Sequence, residues 1–205
     1  MSLNWVVGRY RADGFVWHVR GSEYSTSHEN WLWGDAFRKG GSLFLDIGAN
    51  VGSWTLRASP HFTSVMAFEP DPTANRILRI NIARNKLNNV RVFRLALSDK
   101  SGVVTLPTIN PRNPSRGKLY QVRTVTIDRL NVTPSLVKID TEGNEGPILR
   151  GAPLTLEKKP TLVVETHSLK SLLLCRELLE SYDYSIREIT RLNRRGVSQS
   201  WLLCN

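Results

Sequence analysis

The sequence predicts a doubly wound α/β fold, and three observations carry that expectation. The apolar run Leu43-Phe44-Leu45-Asp46-Ile47 turns through Gly48 and Gly52. A second run, Val65-Met66-Ala67-Phe68, ends at Glu69-Pro70. Two further runs, residues 136–139 and 161–164, break at their C-terminal ends into Asp140-Thr141-Glu142 and Glu165-Thr166-His167. Short apolar runs separated by helical patterns read as buried parallel strands, and the carboxyl ends of such strands are where these sheets hold ligands.

The elements follow in order. Residues 6–19 alternate as a hairpin turning at Ala12-Asp13-Gly14, with Phe15, Trp17 and Val19 on one face. Thr26-Ser27-His28-Glu29 has capping-box spacing, so a helix carrying Trp31, Trp33 and Phe37 should run to Lys39 and stop at Gly40-Gly41. After the first two core strands, Asp71 caps a helix with Pro72 at its first position. Its buried stripe is Ala74, Ile77, Leu78 and Ile82, which leaves Arg76, Arg79 and Arg84 largely outside. Residues 90–97 form a third strand ending at Ser98-Asp99. Residues 103–106 and 122–127 form an added pair, and the stretch 107–118 between them is a loop by composition. Strands four and five are residues 136–140 and 161–165. Ser168 caps a helix to about Ser181 with Leu169, Leu172, Leu173 and Leu179 inward, and residues 184–189 and 201–204 supply two closing strands.

At 205 residues the chain fits one domain, residues 1–41 forming the hairpin and helix and 42–205 the core. No apolar run approaches the roughly 20 residues that span a bilayer. Met1-Ser2-Leu3-Asn4-Trp5 lacks the charged head and apolar middle of a signal peptide, so a soluble, cytoplasmic protein is expected. Cys175 and Cys204 have no C-x-x-C partner and read as small core residues. The formal net charge of +10 attracts polyanions, which admits RNA or a phosphorylated or lipid-linked substrate, and is matched equally by a merely arginine-rich surface.

The turn Gly48-Ala49-Asn50-Val51-Gly52 lacks the G-x-G-x-x-G pattern that brings a pyrophosphate against the backbone. S-adenosylmethionine carries an ammonium and a sulfonium but no phosphate, which suits an Asp46-lined turn whose glycines let a ligand lie against the chain. Glu69, about 20 residues beyond the first glycine, is placed to accept the ribose hydroxyls. The N-terminal hairpin is expected as a lid over this end.

Methyl transfer from a sulfonium is an in-line displacement, so the protein must hold the acceptor and, for a hydroxyl, remove its proton. Asp140, Glu142 and His167 are the candidate catalytic residues. His167 could accept the proton with Asp140 or Glu165 orienting it, or Asp140, Glu142 and His167 could gather a divalent cation; the spacing leaves both open, and no metal is assigned. A plainer role for Glu142 and Glu145 is to bind the amides of a helix start. Arg76, Arg79, Arg84, Arg91, Arg94 and Arg194-Arg195 concentrate positive charge, but no RNA-binding module signature accompanies them.

Seven blocks fall in order with sensible gaps: Phe44-Leu45-Asp46-Ile47-Gly48-Ala49-Asn50-Val51-Gly52, Phe68-Glu69-Pro70, Ala96-Leu97-Ser98-Asp99, Thr126-Ile127-Asp128-Arg129-Leu130, Lys138-Ile139-Asp140-Thr141-Glu142-Gly143, Leu149-Arg150-Gly151-Ala152 and Glu165-Thr166-His167. Together, over roughly residues 42–167, they resemble the FkbM family of S-adenosylmethionine-dependent methyltransferases. The resemblance implies the class I methyltransferase fold, Rossmann-like, with a seven-stranded sheet ordered 3-2-1-4-5-7-6 and the last strand antiparallel. It implies cofactor contacts at Asp46, Gly48, Asn50, Gly52, Glu69 and the Ser98-Asp99 corner, and O-methylation of hydroxyls on natural products or sugars. The family block after strand four usually reads D-V-E-G-x-E, and Thr141 stands here for the valine.

The first expectation is therefore an O-methyltransferase acting on a small molecule, glycan or lipid headgroup. A second is ribose 2′-O-methylation of RNA, favoured by charge; base N-methylation is disfavoured because Asp140-Thr141-Glu142-Gly143 lacks an N/D-P-P-Y corner. A third is a noncatalytic S-adenosylmethionine-binding module, against which Asp140 and His167 argue.

Overall fold

A computed structural model describes residues 7–19, 30–108, 118–192 and 198–205. In chain order, strands β1 (Val7–Ala12) and β2 (Phe15–Val19) precede helix α1 (Asn30–Phe37), β3 (Gly41–Ile47), α2 (Ser53–Ala58), β4 (Phe62–Phe68), α3 (Pro72–Arg84) and β5 (Val90–Phe93). Then come β6 (Ala96–Leu97), β7 (Gly102–Pro107) and β8 (Leu119–Val125). The chain continues through β9 (Leu136–Ile139), α4 (Glu145–Arg150), α5 (Pro153–Leu156), β10 (Thr161–Thr166), α6 (Leu169–Glu180), β11 (Ile186–Leu192) and β12 (Ser198–Cys204). The expected capping box at 26–29, most of the loop 107–118 and Arg194-Arg195 lie outside the described residues.

The main sheet has seven strands in the order β11-β12-β10-β9-β3-β4-β5. Neighbours are parallel except where β12 runs against both β10 and β11. Numbered by first appearance within this sheet, the order reads 3-2-1-4-5-7-6. The chain moves outward from β3 through β4 to β5 and then returns to β9 on the other side of β3. That reversal opens a crevice at the carboxyl ends between β3 and β9.

Side chains alternate across the strands and supply two cores. On one face Leu45, Ile47, Phe68, Ile139 and Val164 pack with Ile148, Leu149, Cys175 and Leu179 of α4 and α6. On the other, Phe44, Phe62, Val65 and Trp201 pack under Leu32, Trp33 and Phe37 of α1 and Trp54 of α2. Both cysteines are free and buried. Asp71 caps α3 as expected, accepting the amides of Thr73 and Ala74 at 2.8 Å each. Among the described residues no helix is long and apolar enough to cross a membrane.

Four expectations are corrected. The third strand divides: β5 belongs to the main sheet, whereas β6 leaves it and pairs in parallel with β8 in a separate three-stranded sheet, order β6-β8-β7. The N-terminal hairpin, turning at Asp13-Gly14 with both residues at positive φ, is not a lid over the ligand end. It lies along α3 near that helix's C-terminus, because the Asn85 carboxamide pairs with both the N–H and the carbonyl of Val16 and Asn81 accepts the N–H of His18. Arg84 is not directed away but donates to the carbonyls of Gly8 and Trp17. In α6, Leu169 and Leu173 are 70% and 55% exposed; the buried stripe is Ser171, Cys175 and Leu179, because the Ser171 hydroxyl is drawn inward to Glu145 at 2.7 Å.

Candidate functional site

The turn after β3 is held from three sides. Gly48 and Ala49 both donate to the Phe68 carbonyl at 3.0 Å, tying the turn to the end of β4. Gly48 has φ +79°, and a Cβ there would stand 1.8 Å from the Asp140 carbonyl oxygen. Gly52 has φ +100°, and a Cβ would meet Leu78 at 2.6 Å. The glycines are thus required by the neighbouring strand and helix as much as by any ligand. Asn50, at φ 49°, donates its N–H to Glu69 Oε2 at 2.7 Å, and Asp71 donates to Glu69 Oε1 at 2.8 Å. Glu69 is 5% exposed, and burial pushes its carboxyl up to about 7 despite these two amides. A carboxylate offers about four acceptor positions, so roughly half remain for a ligand.

Next to this turn lies a cavity of about 290 Å³, walled by Gly48, Phe68, Pro70, Leu97 and Ser98 at the carboxyl ends of the strands. Val104, Leu106 and Thr124 of the small sheet roof it. Of the residues expected to touch a cofactor, Gly48 and Ser98 line this cavity, and Asn50 and Glu69 adjoin it through the turn. Asp46 does not line it. It is fully buried beneath the turn, with the Thr55 hydroxyl 2.5 Å from Oδ2 and the Lys138 ammonium 3.6 Å from Oδ1, and burial raises its pKa. Gly52 faces Leu78, and Asp99 is exposed on the turn into β7, accepting only the Ser98 hydroxyl at 3.3 Å among the described residues.

Beyond the cavity, β9 and β10 run side by side and bring the three candidate catalytic residues together. His167 Nε2 stands 3.5 Å from Asp140 Oδ1, 3.7 Å from Glu142 Oε2 and 3.6 Å from Glu165 Oε1, while Nδ1 lies 3.6 Å from Glu145 Oε1. Burial opposes charge on the imidazole, but the adjacent Glu145 and the carboxylates of Asp140, Glu142 and Glu165 prevail and lift its pKa to about 9. The surrounding carboxylates thus favour the protonated imidazole. Glu142 is 85% exposed and holds the nest only at its rim.

Four further residues complete the nest. Lys138 is 4% exposed, 3.1 Å from Asp140 Oδ2, and donates to the Gly48 carbonyl at 3.0 Å. Glu145 is buried and accepts the Gly143 amide at 2.8 Å and the Ser171 hydroxyl. Its burial favours the neutral acid, yet the contacts with His167, Ser171 and the Gly143 amide outweigh it and bring the pKa down to about 2. Glu165 accepts from Gln199 Nε2 at 3.0 Å. A lysine inside Leu136-Val137-Lys138-Ile139 was a legible signal for a buried charge partner; nothing in the sequence marked Gln199. Donor atoms of Asp140, Glu165 and His167 lie within 4.8 Å of one another, a mixed nitrogen and oxygen set of the kind that admits a divalent cation.

A sheet with this switch point, a cavity over its carboxyl ends and an acidic cluster on its fourth and fifth strands defines the class I methyltransferase fold. Residues 46–186 match the methyltransferase FkbM domain, and the chain belongs to that family. It is 29% identical over 162 residues to the hexuronic acid methyltransferase AglP of Haloferax volcanii, an alignment covering 74% of this chain and 66% of AglP. It superposes on methyltransferase FkbM from Methylobacillus flagellatus KT with a TM-score of 0.64 at 21% identity, covering 79% of this chain and 43% of that one. It also superposes on the Pyrococcus abyssi tRNA (uracil-54, C5)-methyltransferase in complex with S-adenosyl-L-homocysteine, TM-score 0.62 at 15% identity, over 97% of this chain and 44% of that one. The chain thus spans just under two thirds of AglP and less than half of either structural relative.

Proposed function

We propose that this protein transfers the methyl group of S-adenosylmethionine to a hydroxyl of a glycan or other small molecule. The observation that carries the proposal is the adjacency, along one sheet edge, of a roofed cavity beside Glu69 and a carboxylate nest centred on Asp140. The cavity's Phe68, Pro70 and Leu97 walls suit a flat base, and the unused acceptor positions of Glu69 suit a ribose. The acidic nest complements a sulfonium and an ammonium. AglP, named for a hexuronic acid, supports a sugar acceptor, and the P. abyssi relative, in complex with S-adenosyl-L-homocysteine, supports the cofactor.

When bound, S-adenosylmethionine supplies an electrophilic methyl carbon whose bond to sulfur breaks as the acceptor oxygen attacks. In this reading Asp140 takes the hydroxyl proton, its neighbours favouring an imidazole on His167 that is already protonated. Lys138 at 3.1 Å and His167 at 3.5 Å grip opposite oxygens of the Asp140 carboxylate and orient it. Glu145 fixes the imidazole from behind.

Titration calorimetry with S-adenosyl-L-homocysteine tests the cofactor, and radiolabelled S-adenosylmethionine with a glycan panel tests the acceptor. Binding heat followed by label in a glycan is expected, with Asp140→Asn slowing turnover more than it weakens cofactor binding. Absence of binding heat overturns the reading. The charge of +10 favours a second acceptor, the ribose hydroxyl of RNA; label in RNA that fades steeply with added salt would select it.

A further inference from the structure

The cofactor cavity spans the ends of β4, β3 and β9, and the nest spans β9 and β10. Continuing along the same edge, a second hollow of about 370 Å³ spans β10, β12 and β11, walled on its outer side by the first turns of α6. The two hollows open on one face of the sheet: Ile47 and Phe68, which line the first, belong to the core cluster against which Leu172, which lines the second, is packed. Cofactor cavity, reacting centre and second hollow therefore lie in sequence. An in-line displacement needs the acceptor on the side of the methyl group away from the departing sulfur; a nucleoside seated in the first cavity with its methyl group turned toward the nest would be met from the side of this hollow.

Its floor is a row of hydroxyls. Thr166, Ser200 and Thr190 are register partners across the three strands. Thr166 donates to the Ser200 carbonyl at 3.1 Å, the hydroxyls of Thr190 and Ser200 are 2.8 Å apart, and Thr190 lies 3.2 Å from Glu188 Oε1. These contacts use hydroxyl hydrogens and leave oxygen lone pairs, so the row accepts hydrogen bonds from whatever enters, as do the remaining lone pairs of Glu188, whose Oε2 is ion-paired with Arg176 at 3.2 Å. Opposite stand Leu169 and Leu172, and Leu169 is the more exposed. Among the described residues no lysine or arginine lines the hollow itself.

An acceptor-rich floor facing an apolar wall matches a ligand with hydroxyl donors on its rim and C–H groups on its face. The geometry points to this hollow as the acceptor subsite, taking a sugar ring whose hydroxyls meet Thr166, Thr190 and Glu188 while its face lies against Leu169 and Leu172. The assignment rests on the methyl-transfer reading above and goes beyond it by naming where the sugar sits and which residues select it.

The test is saturation-transfer NMR on the whole protein loaded with S-adenosyl-L-homocysteine, using methyl glycosides of glucose, galactose, mannose and glucuronic acid as probes. Leu169→Asp alters an exposed first-turn helix position that tolerates an acid, and Thr190→Val keeps a branched strand residue of similar shape, so both variants should fold. At least one glycoside is expected to receive saturation, with its Kd raised fivefold or more in each variant while S-adenosyl-L-homocysteine binds as before. Glycoside binding that both variants leave unchanged overturns the subsite. So does the absence of glycoside binding in protein that holds S-adenosyl-L-homocysteine, whereas failure to bind that nucleoside at all sinks the methyl-transfer reading itself.

Discussion

The Lys138 ammonium bridges two carboxylates of different standing: Asp140 Oδ2 at 3.1 Å, half-open to the crevice, and Asp46 Oδ1 at 3.6 Å, sealed beneath it. Removing one member of a buried ion pair costs about 3–5 kcal/mol because the remaining charge is left unpaired. Lys138→Met should lose stability on that scale in urea unfolding and should bring down the Gly48 turn that the ammonium also holds. An unfolding midpoint matching wild type would show that the two aspartates do not depend on the lysine.

Glu145 makes a pH-dependent contribution. Its folded pKa of about 2 lies below the ordinary 4.5, so its stabilisation is fully present above pH 4.5 and is lost as pH falls toward 2. Glu145→Gln should therefore cost on the order of 3 kcal/mol at pH 7, with the gap to wild type closing below pH 4. Thermal melts across that range would check it, and a gap independent of pH would assign the loss to packing.

Glu69 behaves in the opposite sense. With a folded value near 7 against an ordinary 4.5, the ligand-free protein holds a proton that the unfolded chain releases. The Glu69 contribution is thus full below pH 4.5 and disappears as pH rises through 7. Ribose hydroxyls donate to the ionised form, so affinity for S-adenosyl-L-homocysteine should rise across the same window. Glu69→Ala should flatten that rise and weaken binding at pH 8 by about 1.5–3 kcal/mol. Calorimetry at pH 5.5, 6.5 and 8 separates these outcomes from a carboxyl that only braces the Asn50 and Asp71 amides.

Gly48 and Gly143 both have positive φ, but only Gly48 has a neighbour in the way of a Cβ. Gly143→Ala should cost backbone strain alone, about 1–3 kcal/mol. Gly48→Ala adds a collision with the Asp140 carbonyl, for which overpacking contributes roughly another 1–3 kcal/mol. The melting temperature of the Gly48 variant should accordingly fall well below that of the Gly143 variant, with or without S-adenosyl-L-homocysteine present.

The four central strands β3, β4, β9 and β10 were legible because each is a short, largely apolar run that breaks into polar residues at its C-terminal end, and α3 because Asp71-Pro72 announces its start. Which sheet a strand joins was not legible. Residues 90–97 read as one strand because apolar character says nothing about partners, and only the pairing of Ala96 and Leu97 with Thr124 and Val125 divides it. The seat of the hairpin depends on the side chains of Asn81 and Asn85, more than sixty positions away in sequence. In α6 a leucine-rich stretch fits several helical faces, and a buried hydroxyl on Ser171 chose among them. At the site, Asp140, Glu142 and His167 do converge, whereas Asp46 and Asp99 were assigned by position along the chain and lie off the cavity wall. A buried carboxylate and a surface one look alike in a string of letters.

The departure of the chain from β5 at Arg94-Leu95 makes one continuous stretch of backbone serve both sheets. Floor and roof of the cavity are consequently tethered to each other, and an occupant presses on both together. Amide deuteration along Leu119–Val125 should slow when the cavity fills and quicken when it empties, so this outlying strand reports occupancy without any probe placed in the crevice.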